Sequence, residues 1–143
     1  MLKRAALIFI TIAFFSSLLM GCGDLQSKPQ KINEVAKIKY SEVTKIVFSD
    51  GRGKNKPFTL EDKKKIKEFI KLMASYVLKK DKEHVDSVGW VHRADLYNGD
   101  KNIISITFTK PLEIDGEYYD IVKGQLRNEN IDNFIRSANP AWK

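Results

Sequence analysis

Trp90-Val91-His92-Arg93-Ala94-Asp95-Leu96-Tyr97-Asn98-Gly99-Asp100-Lys101-Asn102-Ile103-Ile104-Ser105-Ile106-Thr107-Phe108 is the stretch that decides the fold, because its apolar residues recur at every second position. A period of two puts alternate side chains on opposite faces of a strand. Trp90, His92, Ala94 and Leu96 share one face, while Arg93, Asp95 and Tyr97 share the other; Ile104, Ile106 and Phe108 repeat the even pattern. The turn between the two runs must keep both even sets on the same side. A two-residue Asn98-Gly99 loop sets even residues opposite odd ones and turns Ile104, Ile106 and Phe108 away from the core. Parity therefore predicts a three-residue loop, Tyr97-Asn98-Gly99, with Gly99 left-handed in a bulge, pairing Ala94 with Asn102 and His92 with Ile104.

Downstream, Leu112 and Ile114 lead through Asp115-Gly116 to Tyr119 and Ile121, a hairpin suited to a two-residue turn. Asn128 then caps a short helix carrying Ile131, Phe134, Ile135 and Ala138 at helical spacing, stopped by Asn139-Pro140. Upstream, Val43, Ile46, Val47 and Phe48 read as the first strand, closed by Ser49-Asp50-Gly51. A helix follows, with Thr59 as its expected cap and Glu61 and Asp62 at its positive end. Ile66, Phe69, Ile70, Met73 and Val77 form its buried stripe, and it is expected to end near Leu78 beside Lys79 and Lys80. The elements give an α+β domain in the order β-α-β-β-β-β-α, a twisted antiparallel sheet with both helices on one face. That order resembles half of the TATA-binding-protein fold or the β-lactamase-inhibitor-protein fold, a likeness of element order that transfers no function.

The 143 residues suit one domain, and 43% hydrophobic content with sparse Gly and Pro excludes general disorder and low-complexity polymers. The single cysteine excludes an intramolecular disulfide framework and a cysteine-based zinc cluster. Its position gives it another role. Lys3 and Arg4 precede a charge-free run from Ala5 to Leu19, the pattern of an export signal, although the uncharged stretch to Gly23 approaches the ~18 residues of a membrane-spanning helix. Leu19-Met20-Gly21-Cys22 resembles the lipobox of bacterial lipoproteins, with an aliphatic residue three before the cysteine and a small one directly before it. The resemblance implies a diacylglyceryl group on the Cys22 thiol and cleavage just before Cys22. Two acyl chains would hold the protein stably on a membrane without spanning it. Expected boundaries are a signal peptide over 1–21, a lipidated N-terminus and polar tether over 22–40, and the domain over 41–143.

Together with the Ser-Asp-Gly-Arg-Gly stretch at 49–53 and the lysine-rich helix, this is similar to small lipoproteins of Bacillus and its relatives. The resemblance implies the outer face of the cytoplasmic membrane and supplies no substrate.

Charge is unevenly distributed. Residues 45–82 hold 12 Lys+Arg against 5 Asp+Glu, whereas 83–143 hold 7 against 10. Arg52, Lys54 and Lys56 lie in a glycine-containing loop leading to a helix start, where Lys63 and Lys64 follow; together they could meet phosphate or carboxylate groups. The expected contact is an envelope protein or an anionic envelope polymer, with nucleic acid excluded by the extracytoplasmic address. The alternative is a solvated connector and lysine face. The loop lacks the P-loop and dinucleotide patterns, so no nucleotide cofactor is expected.

His84 and His92 lack metal-ligand spacing, the acidic residues lack calcium-loop spacing, and there is no Gly-x-Ser-x-Gly elbow. No constellation supports catalysis or a bound metal. The expectation is a non-enzymatic binding or adaptor domain; the alternative is a small-ligand receptor or enzyme with a site near His92 and Trp90. Tyr97, Tyr118, Tyr119 and Trp142 are candidates for partner contact, set against the normal exposure of isolated aromatics.

Overall fold

The computed structural model describes residues 28–82 and 89–143. The even-position rule holds from strand to strand. In β2 (Lys45–Asp50), β5 (His92–Asn98), β6 (Lys101–Phe108) and β7 (Leu112–Ile114), the residues turned to the core are Ile46, Phe48, His92, Ala94, Leu96, Ile104, Ile106, Phe108, Leu112 and Ile114. In β8 (Glu117–Lys123) the parity reverses across the Asp115-Gly116 turn, and Tyr119 and Ile121 pack on the core. That turn closes with two residues, as expected; Asp115 and Gly116 have φ of 50° and 83°, as a type I′ hairpin requires.

The β5–β6 hairpin keeps the expected parity but not the expected register. Gly99-Asp100 forms the turn, Asn98 pairs with Lys101, and an extra residue at Ile103 lets Leu96 face Ile104, Ala94 face Ile106 and His92 face Phe108. The partners of Ala94 and His92 thus lie four residues beyond those expected. The cause sits outside the hairpin. Thr44 donates its amide to Tyr97 O at 2.8 Å and its hydroxyl accepts from the Gly99 amide at 2.8 Å, so the start of β2 holds Tyr97 and Asn98 in the ladder.

Three short strands and a one-turn helix add to the expected order. β1 (Gln30–Lys31) and α1 (Ile32–Ala36) lie within the segment read as tether, and Ile32 is buried in the core. β3 (Phe58–Leu60) takes up Thr59, which therefore caps no helix. Asp62 caps α2 (Lys63–Met73) instead, its Oδ1 accepting from the amides of Lys64 and Lys65 at 2.8 and 3.0 Å. α2 stops at Met73 rather than Leu78, because Val77, Leu78 and their neighbours pair with β8 as β4 (Val77–Lys80). β-branched and aromatic residues after Ala74-Ser75 suit a half-buried strand better than another helical turn. α3 (Asn128–Ala138) closes the chain; Asn128 is its first helical residue rather than its cap, a position taken by Arg127 with no side-chain cap bond.

The result is an α+β fold with an eight-stranded antiparallel sheet, ordered β1-β4-β8-β7-β6-β5-β2-β3, and three helices among the described residues. The observed order, β-α-β-β-α-β-β-β-β-β-α, replaces the expected one. α2 and α3 share one sheet face. Phe69 of α2 meets Phe48 of β2, Phe108 of β6 and Phe134 of α3 at ring-centroid distances of 5.2, 6.4 and 5.3 Å. These aromatic contacts stabilise beyond the apolar area they bury, and they fix where α3 lies over the ends of β2 and β5.

Candidate functional site

Asp50 and His92 face each other as the last pair of the β2–β5 ladder, both turned to the helix side. The next residues make a tight loop. The Asp50 carboxylate accepts from the Arg52 amide at 3.0 Å, from Arg52 Nε at 2.9 Å and from Asn55 Nδ2 at 2.6 Å. The other side of the Arg52 guanidinium donates to Asp132 of α3 at 3.2 Å, and His92 Nε2 lies 3.2 Å from the same Asp132 oxygen. Asn55 also bonds Lys143 through both its side-chain atoms, at 2.7 and 2.9 Å. Arg52 thus braces the end of β2 against α3, and Asn55 ties the same loop to the tail.

The surroundings set the charges. Burial pushes the Asp50 carboxyl up, but hydrogen bonds from Arg52 and Asn55 outweigh it and hold it at about 2. Asp132 is likewise pushed up by burial and held below its ordinary value by Arg52 and His92. His92 is fully buried, and burial lowers its pKa against the pull of Asp132. The contact to Asp132 is not aligned as a hydrogen bond, and neither ring nitrogen has a hydrogen-bond partner among the described residues. His92 has no access to solvent.

Arg52 therefore stands apart from the other basic residues singled out in the sequence. Its charge is met by two carboxylates. Lys54, Lys56, Lys63 and Lys64 are exposed and make no ion pair among the described residues. Lys63 and Lys64 open α2, whose first turn contains no acidic residue. Cations there oppose the helix dipole.

Trp90 and His92, read together as one possible site, point to different places. Trp90 is 36% exposed and lines a cleft of about 820 Å³ with Lys110, Pro111, Leu112, Ile121 and Arg127, whereas His92 is absent from its wall. Gly51 permits the close seat of Trp90: a Cβ on it would fall 2.2 Å from the Trp90 carbonyl oxygen and 2.7 Å from its ring. Sequence reasoning picked out Trp90 but missed the cleft, whose other walls lie on the β6–β7 connection, β8 and the approach to α3.

Of the candidate aromatics, Trp142 is buried and Tyr119 packs on the core, while Tyr97 is half-buried under the Lys45 ammonium at 4.9 Å. Tyr118 is half-buried on the opposite sheet face. Cys22 and His84 lie outside the described residues. Among the described residues, no group of three or more acidic, histidine or cysteine side chains could hold a metal, and no helix is long and apolar enough to cross a membrane. The chain matches no known family, curated protein or solved structure.

Proposed function

We propose that the chain is a lipid-anchored, extracytoplasmic, non-enzymatic binding domain, held through Cys22 and contacting an anionic envelope polymer through Lys54, Lys56, Lys63 and Lys64. The observation that carries the binding half is the unpaired state of those four lysines beside a braced, partnered Arg52. Two of them sit at the positive end of α2, where an anionic ligand would add to the negative charge that the Asp62 cap supplies to the first turn. Arg52 serves the surface indirectly, by fixing the loop that displays Lys54 and Lys56. The address rests on Leu19-Met20-Gly21-Cys22.

The test is a titration of the full chain, reconstituted in phosphatidylcholine nanodiscs, with soluble poly(glycerol phosphate). Binding should weaken steeply with salt, because each neutralised phosphate releases counterions, a dependence of the kind known for polyanions. It should fall at least tenfold when Lys54, Lys56, Lys63 and Lys64 are all replaced by Gln. Unchanged binding after that replacement removes the basic surface from the proposal. Release of a Cys22→Ala variant from membranes in the native host tests the anchor separately.

A further inference from the structure

We propose that the cleft walled by Trp90 is a second binding site, for a small organic anion with an apolar body and a single carboxylate or phosphate head. Its volume of about 820 Å³ is that of a small-molecule site, which typically spans ~300–1,000 Å³. The lining matches that chemistry in both parts. Pro111, Ile121, Leu126 and the exposed face of Trp90 offer apolar surface, and such surface gathered in a concavity differs from the scattered exposed aromatics of an ordinary protein exterior.

The charged lining is Lys110, Arg127 and Asp120, an excess of one positive charge. Lys110 makes no ion pair among the described residues, and the Arg127 guanidinium donates to the neutral Gln125 Oε1 at 2.9 Å, so its charge is not cancelled. α3 also begins at this wall without a side-chain cap on its first amides, a positive end that Glu129 in its first turn offsets only in part. Trp90 is fixed rather than loose, because it is seated on Gly51 and because the Gly51 amide donates to Val91 O at 3.0 Å. None of the four exposed lysines of the basic surface lines the cleft, so the two sites stand or fall separately.

The experiment follows the indole N–H resonances of Trp90 and Trp142 in the full chain in phosphatidylcholine nanodiscs. 1-Naphthylacetate, 1-naphthyl phosphate and the uncharged 1-naphthylacetamide are the probes. At least one anionic probe should shift the Trp90 signal saturably, and bind at least tenfold more tightly than the amide; the tighter of the two identifies the head group. Lys110→Gln combined with Arg127→Gln should weaken the anion at least tenfold and leave the amide unchanged. Lys110→Gln alone, at an exposed position that leaves the start of α3 untouched, should weaken it several-fold. Equal affinity for anion and amide overturns the proposal, as does anion binding that survives both substitutions or the absence of a saturable Trp90 shift. Replacing Lys54, Lys56, Lys63 and Lys64 should not alter probe binding; loss of binding there would assign the anion to the basic surface instead.

Discussion

Arg52 and its neighbours Lys54 and Lys56 belong to one loop and carry the same formal charge, yet their circumstances are opposite. The Arg52 side chain is 27% exposed and divides its donors between Asp50, whose side chain is fully buried, and Asp132. Lys54 and Lys56 reach solvent with no described carboxylate beside them. A planar guanidinium can bridge two fixed carboxylates at once, whereas an ammonium on a flexible stem acts as a point charge. A loop's net charge therefore says little about the charge it can offer a partner: here the arginine is structure and the lysines are surface.

The largest expected effect breaks the structural side of this contrast. Arg52→Ala leaves Asp50 buried without its main counter-charge and unties α3 from the loop, and should cost about 3 kcal/mol, the lower end of the range for a broken buried pair because Asp132 keeps some contact with water. Arg52→Lys should recover only part of that, since one ammonium cannot keep both contacts. Lys54→Ala should stay within ~0.5 kcal/mol, as exposed substitutions away from special features do. Denaturant unfolding of the variants measures all of these. Equal stability of the Arg52 and Lys54 variants would erase the distinction.

A smaller effect is written in pH. The groups facing His92 are Asp132 on α3 and Arg52 and Asp50 at the end of β2, and burial lowers the His92 pKa despite the two carboxylates. In the unfolded chain the imidazole takes up a proton near its ordinary 6.5. Below that pH the unfolded state binds more protons than the folded one, so stability falls as pH drops through 6.5 and levels off only once the folded His92 is also protonated. Asp50 acts in a separate window: its stabilisation is full above 3.8 and is lost as pH falls toward about 2. His92→Phe should flatten the unfolding free energy between pH 7 and pH 5 while leaving the steeper acid loss below pH 4. A slope unchanged in the variant would mean that other groups carry it.

Much of this architecture was readable in the residues, and the failures have physical causes. The alternation through His92, Ala94, Leu96, Ile104, Ile106 and Phe108 identifies the core face because a one-residue slip would expose every one of them. Register was harder, since moving by an even number of residues preserves parity, and Thr44 decided among the options from a distant strand. β1, β3 and β4, of two to four residues, are too short to display a period, and Val77 fell on the helical stripe of α2 by coincidence of spacing. The brace escaped notice because Asp50, Arg52, His92 and Asp132 come together only when β2, β5 and α3 have packed. The cleft escaped for the same reason: no single segment carries enough of its wall.

The smallest expected change sharpens the surface side, and its two readouts should move in opposite directions. Lys63 and Lys64 occupy the first turn of α2, beside amides that already carry partial positive charge, with the Glu61 and Asp62 carboxylates just before them. Reversing either charge should favour the helix by ~0.3–1 kcal/mol, the usual scale of a charge–dipole interaction at an exposed helix end. If the same lysines meet a polyanion, Lys64→Glu must weaken that contact while it raises folding stability. A lysine that serves only to keep the protein solvated predicts the stability gain alone. Measuring unfolding and poly(glycerol phosphate) affinity on the same Lys63→Glu and Lys64→Glu preparations therefore separates a surface retained for binding from one retained for solubility, since only the first trades helix stability for an external partner.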